Sequence, residues 1–179
     1  MKEEELVYKA QQGDSEAFGA LYDLHFTKIY RFIFLKVRRK PDAEDLSHQV
    51  FLSAWKNING FSYQGFPFST WLYRIAQNTV IDFYRTAKNH LDIEEVGEEK
   101  FGFSEDLERG LETALAIEEV ATALQDLTED EQNVIIMKFV NELGNKEIAE
   151  ALKKTEGAIR VIQHRALKQL REKLEKKNG

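Results

Sequence analysis

The stretch EGAIRVIQHRALKQL, residues 156–170, sets Ile159, Ile162, Ala166 and Leu170 at spacings of three and four, the repeat of an amphipathic helix. At about 100° per residue, Arg160, His164, Lys168 and Arg171 fall in a strip opposite that apolar face, and no acidic residue interrupts it. The lysines at 173, 176 and 177 are accounted for by the negative end of the helix dipole. Arg160 and His164 sit in the first half, where the dipole disfavours positive charge. A charge placed at a cost predicts a negative partner.

The residues upstream give that helix a setting. In LTEDEQ (127–132), Thr128 with Glu131 three residues on forms a capping box, opening a helix whose apolar face runs through Val134, Ile135 and Phe139. ELGNKEIAEAL (142–152) turns at Gly144 and Asn145 and continues as a short helix over 146–152. KKT (153–155) breaks it, and Thr155 can cap the helix that follows. This is helix-turn-helix spacing, in which the second helix enters the DNA major groove.

The whole-chain charge hides this. Of 179 residues, 25 are basic and 31 acidic, for a net charge of −6. Lys28 to Lys40 holds six basic residues and no acid, Glu156 to Lys177 carries +4, and Lys88 to Glu112 carries −6. Two basic ends flank an acidic middle. With 42% hydrophobic and 11% aromatic residues the chain can bury real cores, and the absence of cysteine excludes disulfides and cysteine-based zinc sites. MKEEELVYKA lacks the apolar run of a signal peptide, and IYRFIFLKV (29–37) is too short and too interrupted by Arg31 and Lys36 to span a bilayer. The expectation is a soluble cytoplasmic protein without membrane insertion.

Periodicity predicts an all-α chain, with helices near 2–12, 14–38, 42–58, 69–87, 105–125, 128–140, 145–152 and 155–175 and no convincing strand. KNHLDIEEVGEEKFGFSED (88–106) is acidic, contains two glycines and lacks sustained periodicity. The expected division is a helical domain at 1–87, a flexible acidic linker at 88–112 and a second helical domain at 113–179.

In the first domain, PDAEDLSHQVFLSAWKNI (41–58) has a core face of Ala43, Leu46, Val50, Ala54 and Ile58. Opposite lie Glu44, Asp45, His48 and Gln49, together with Leu52 and Trp55, which a purely solvated face does not need. The mixture reads as a protein-binding surface around an aromatic anchor; periodicity alone leaves open that Leu52 and Trp55 pack under a neighbouring helix. FSYQGFPFSTWLYRIAQNTVIDFYR (61–85) then gathers Phe61, Tyr63, Phe66, Phe68, Trp71 and Tyr73 around a Gly-Phe-Pro loop. Its helix buries Leu72, Ile75, Ala76, Thr79 and Phe83, and leaves Arg74, Gln77, Asn78, Asp82 and Arg85 off that stripe. Aromatic rings beside amides and arginines suit unstacked bases, although a core loop also explains many of the rings.

DAEDLSHQVFLSAW, FSTWLYRIAQNTVIDFYR and EIAEALKKTEGAIRVIQHRALKQL, in this order and at these separations, resemble the bacterial RNA polymerase sigma factors of the compact extracytoplasmic-function class, in the sigma-70 superfamily. The resemblance spans almost the whole chain. It implies a transcription initiation factor with no chemistry, cofactor or metal of its own. Region 2, at 1–87, binds core polymerase and melts and reads the minus-ten element; region 4, at 113–179, reads the minus-thirty-five element. The implied partners are the clamp coiled coil of the largest polymerase subunit, the flap of the second-largest subunit, promoter DNA and an anti-sigma factor, and the free protein is expected to be a monomer.

The candidate core-polymerase contacts are Glu44, Asp45, His48, Gln49, Leu52 and Trp55 of the mixed face, and the resemblance matches Asp45, His48, Gln49 and Trp55 to positions that face the clamp coiled coil. The candidate minus-ten contacts are Phe66, Phe68, Trp71, Tyr73, Arg74, Gln77, Asn78 and Arg85, from the rings, amides and arginines of 61–85, and the resemblance puts Asn78 at the position that meets a flipped-out base and SYQGFPFS at the loop that shapes its pocket. The candidate minus-thirty-five contacts are Thr155, Arg160, Gln163, His164, Arg165, Lys168 and Arg171, of which the resemblance matches Arg160, His164 and Arg165 to recognition-helix positions. Three departures stand out. His48-Gln49 replaces the commoner Gln-Glu. AIRVI replaces the commoner TVKSR, so that Val161 and Ile162 stand where polar residues are usual. Arg74 and Ile75 occupy the places of the paired tryptophans with which housekeeping relatives open the duplex.

A stand-alone helix-turn-helix regulator accounts only for 128–177 and leaves the aromatic loop without a role. An enzyme finds little support, since His25, His48, His90 and His164 are scattered, HLD at 90–92 is isolated, and no phosphate-binding glycine loop is present.

Overall fold

A computed structural model describes residues 1–89 and 119–178, and every described element is helical. Helices α1 (Glu3–Gln11), α2 (Ser15–Val37), α3 (Lys40–Asn57) and α4 (Phe68–Asn89) form the first unit, with a 3-10 turn at Ile58–Gly60. Helical turns at 119–124, then α5 (Glu129–Ile135), α6 (Asn145–Leu152) and α7 (Glu156–Asn178), form the second. Most of the expected acidic linker, and most of the helix expected at 105–125, lie outside the described residues.

Local chemistry sets the helix ends. The Asp14 carboxylate accepts from the backbone N–H groups of Glu16 and Ala17 at 3.0 and 3.1 Å and starts α2. The Glu131 N–H donates to Thr128 Oγ1 at 3.3 Å while the Thr128 N–H donates to the Glu131 carboxylate at 3.1 Å, so the expected capping box is formed. Arg38 ends α2 in the left-handed region, at φ 60°.

The α2 stretch from 29 to 36 is buried on nearly every side: Ile29, Tyr30, Phe32, Ile33, Phe34, Leu35 and Lys36 are all inside. A helix apolar all round must be covered all round. Along its length α2 packs on α1, α3 and α4, and on the segment at Ile136–Val140 from the second unit. That segment departs from the expected α-helix at 128–140. After Ile135 the backbone widens into a π turn, with the Asn141 N–H bonded to the Ile136 carbonyl at 3.0 Å. The extra residue in the turn rotates Phe139 off the face shared by Val134 and Ile135, which leaves it exposed where the sequence pattern places it inside.

Polar contacts join the two units. Lys36 Nζ donates to Asn133 Oδ1, Asn141 Nδ2 donates to the Lys28 carbonyl at 3.1 Å, and Arg74 reaches Glu150. Burial holds the Lys36 ammonium down to about 8, with Glu129 and Asp130 partly opposing the shift. A lysine whose folded pKa lies below its unfolded one binds fewer protons when folded, so between pH 8 and about 10.5 stability rises with pH. Thermal unfolding of the parent followed from pH 7 to pH 9.5 should therefore show a gain of order 1–2 kcal/mol that Lys36→Met lacks. A flat profile in the parent, or the same rise in the variant, would remove Lys36 from this role.

Candidate functional site

Three surfaces carry the candidate residues. The first lies where the aromatic loop meets α4. Gly65 takes φ +84°, a conformation open to glycine at little cost, and the Thr70 N–H closes onto the Pro67 carbonyl at 3.1 Å as α4 begins. Beside this loop lies a cleft of about 160 Å³, lined by Phe61, Phe66, Thr70, Trp71 and Arg74 and, from the second unit, Glu150. Phe61 and Trp71 are tilted rings with centroids 5.4 Å apart, and both Trp71 and Phe66 are half-buried, with surface left for a ligand. Gln77 is half-buried further along α4, and Asn78 and Arg85 are exposed.

Two of the sequence-derived contacts need correction. Phe68 is 0% exposed and Tyr73 is 1% exposed. Phe68 meets Phe61 edge-on at 5.2 Å, and Tyr73 meets Phe32 edge-on at 5.7 Å, so both rings are core and neither offers a face to a base. Ring type alone does not separate these from Phe66 and Trp71; the spacing of four from Phe68 to Leu72 to Ala76 does, because it puts Phe68 on the buried stripe.

The second surface is the outer face of α3. Glu44, Asp45, His48, Gln49 and Leu52 are exposed, Leu52 at 53%. His48 is oriented by Tyr22, with Nδ1 3.3 Å from the phenol oxygen and the two rings nearly parallel. Trp55 is not fully outward. It is half-buried, with its ring 4.9 Å from that of Phe18 on α2. Of the two readings left open above, packing under a neighbour holds for most of the indole and outward projection holds for Leu52.

The third surface is α7 with the turn before it. Lys153 takes φ 54° at the end of α6, and Thr155 Oγ1 accepts the Ala158 N–H at 3.1 Å to start α7. Ile159 and Ala166 are fully buried, which turns Arg160, His164, Arg165, Lys168 and Arg171 to solvent, while Gln163 is half-buried. Arg160 lies 3.9 Å from Glu156, at the limit of an ion pair and exposed to water. Lys173 pairs with Asp126 across the domain, a structural use for a charge ascribed above to the helix dipole.

What the sequence does not disclose is the contact that bridges the first surface. The Arg74 guanidinium donates to the Glu150 carbonyl at 2.8 Å and to its carboxylate at 2.9 Å. A residue of the helix-turn-helix unit therefore stands at the mouth of the aromatic cleft. Among the described residues no cluster of three or more His, Cys, Asp or Glu side chains could hold a metal ion, and no helix is long and apolar enough to cross a membrane.

Described elements that are all helical, with an aromatic cleft on one unit and a basic helix-turn-helix on the other, define a two-part helical class, and the comparisons with known proteins name the family. The sigma-70 region 2 family model matches residues 21–90 and the sigma-70 region 4 model matches residues 123–172; the chain belongs to the sigma-70 family of RNA polymerase sigma factors, in its extracytoplasmic-function class. It is 35% identical over 170 residues to the ECF RNA polymerase sigma factor BldN of Streptomyces coelicolor, covering 93% of this chain and 63% of that protein. It is 32% identical over 177 residues to SigW of Bacillus subtilis, covering 94% of each. Among solved structures, the fold is similar to CnrH in complex with the cytosolic domain of CnrY, with a TM-score of 0.73 at 24% identity over 95% of each chain.

The α3 geometry yields a paired prediction. Leu52→Ala should leave thermal stability within about 0.5 kcal/mol, since its side chain is largely solvated, and should still weaken binding to core polymerase. Trp55→Ala should cost roughly 1–3 kcal/mol of stability through lost packing on Phe18, as well as affinity. Normal polymerase binding by Leu52→Ala would take this face out of the interface.

Proposed function

We propose that this chain is the promoter-specificity subunit of a bacterial RNA polymerase: it binds the core enzyme and directs it to promoters by reading the minus-ten and minus-thirty-five elements. The observation that carries the reading is the pairing, in one chain, of a cleft suited to an unstacked base with a helix-turn-helix suited to duplex DNA. One reads melted strand; the other reads groove. Asn78 and the aromatic pair Phe66 and Trp71 serve the flipped minus-ten base, with Arg74, Gln77 and Arg85 along the neighbouring backbone. Thr155, Arg160, Gln163, His164, Arg165, Lys168 and Arg171 serve the minus-thirty-five duplex, Arg160 nearest the base edges and Lys168 and Arg171 on phosphates.

In this reading the α3 face, with Glu44, Asp45, His48, Gln49, Leu52 and Trp55, docks on the clamp coiled coil of the largest polymerase subunit. The flap of the second-largest subunit meets the second unit, where Ala123, Leu127 and Leu170 line a groove. The chain carries no catalysis, cofactor or metal of its own, acts in the cytoplasm and is a monomer until it meets polymerase. The sigma factor RpoE of Bartonella quintana is solved in complex with the anti-sigma factor NepR. A protein of that kind is the proposed antagonist here. Arg74 and Ile75 stand where housekeeping relatives carry tryptophans, so opening depends on the promoter sequence itself. Glu150 must leave Arg74 before the cleft can take up DNA.

Run-off transcription with core polymerase on a randomised promoter library tests the proposal. The parent should select a narrow pair of elements that core alone does not. Asn78→Ala should lower open-complex formation about tenfold, some 1.4 kcal/mol, at a duplex promoter, and a pre-melted template abasic at the flipped position should erase the difference. Transcript starts indistinguishable from those of core alone would refute the function, and an equal Asn78→Ala defect on every template would refute base capture by that residue.

A further inference from the structure

In the first two turns of α7, beside the basic strip, one apolar side chain is exposed that neither the core nor the charge pattern explains. Val161 is 50% exposed, whereas Ile159 and Ala166 on the inner face are 0% exposed. With Gly157 set at zero and about 100° per residue, Lys168 lies near +20°, His164 near −20° and Val161 near +40°, while Arg160 lies near −60°. Val161 therefore lies beside Lys168 at the edge of the strip, and nearer than Arg160 to the direction opposite the buried Ile159 and Ala166. It also falls in the first two turns of the helix, the part of a recognition helix that comes nearest to base edges.

An exposed valine on an ordinary surface needs no explanation. This one is flanked on the same face by Arg160, His164, Arg165 and Lys168, all exposed, so whatever docks there is anionic and covers the valine too. Gly157, one turn before Val161 on the same face, strengthens the case. A Cβ at that position would meet nothing nearer than Thr155 Oγ1 at 4.0 Å. The absence of a side chain there lets the start of the helix approach its ligand closely. A valine in a helix is held mainly in one χ1 rotamer, so its two methyl groups present a fixed apolar surface with little entropy left to lose.

We propose that Val161 is a specificity-determining residue that reads the 5-methyl group of a thymine in the minus-thirty-five element; this rests on the proposed role of α7 in the major groove. Thymine is the base whose groove edge carries a methyl group, and valine has neither donor nor acceptor with which to read any other feature. Cytosine at the same position would place its amino group against the isopropyl group without a partner, a desolvation that disfavours it. The contact selects by shape and by exclusion of a polar edge, beside the hydrogen bonding of its basic neighbours.

The test uses holoenzyme assembled from core polymerase and the full chain, and promoter duplexes in which each minus-thirty-five thymine is replaced singly by uracil. Uracil keeps every hydrogen-bonding group and loses only the methyl. At one or two adjacent positions the substitution should weaken binding of the parent about fourfold, the loss expected for one buried methyl group. Val161→Ala should bind thymine and uracil duplexes there alike, both at the weaker level, and should fold normally because the site is exposed. A thymine preference that persists unchanged in Val161→Ala, or a parent insensitive to uracil at every position, overturns the proposal. A scrambled minus-thirty-five duplex separates the two layers. If scrambling costs affinity and uracil does not, Val161 alone is misassigned; if scrambling costs nothing, α7 does not read this duplex and the proposal falls with that role.

Discussion

The guanidinium of Arg74, held between the carboxylate and the carbonyl oxygen of Glu150, is the constraint on which the relation of the two halves turns. The buried apolar side chains of the two halves form one continuous cluster, with Ile136–Val140 packed on α2, and the hydrogen bonds across the junction are this pair, Lys36 with Asn133, and Asn141 with the Lys28 carbonyl. Polar contacts of this kind exchange for water at small net cost, and an ion pair with both partners about a third exposed is worth roughly 0–1 kcal/mol. The buried Lys36 ammonium works against closure, because its desolvation disfavours the charged form. The halves are thus held in register by contacts that can release.

That arrangement places the helix-turn-helix unit against the mouth of the cleft proposed to serve the melted strand. Glu150 presents to Arg74 the same chemistry as a nucleic-acid phosphate, a negatively charged oxygen acceptor. The protein therefore satisfies from within the arginine proposed to face DNA. The other two surfaces, on α3 and α7, stay open to solvent in the same arrangement.

Much of this was legible in the sequence where the signal is local. The capping box at Thr128, the break at Lys153 and the apolar stripe of α7 depend on residues a few positions apart, and each formed as the spacing indicates. Phe68 and Tyr73 are core because both lie at helical spacing from the buried Ala76, and ring type by itself carries no such positional signal. Trp55 is a different case. Its contact with Phe18 joins two helices, and no pattern along α3 alone distinguishes it from the outward Leu52. The π turn at Ile136–Val140 left no mark either, since a one-residue widening follows from packing against α2. The contacts between the halves join residues 76, 97 and 113 positions apart, beyond any local rule.

The junction is closed in the free protein, and the proposed function requires it to open on polymerase. The chain has no cysteine, so spin labels can be placed at will. A distance measured by double electron-electron resonance between labels on Asp82→Cys and Lys146→Cys, both exposed positions on α4 and α6, reports the junction directly. The account predicts a single short distance in the free protein, a longer or broader one with Glu150→Ala, and a fully lengthened one when core polymerase is bound. An unchanged short distance in a polymerase complex that still initiates transcription would contradict it.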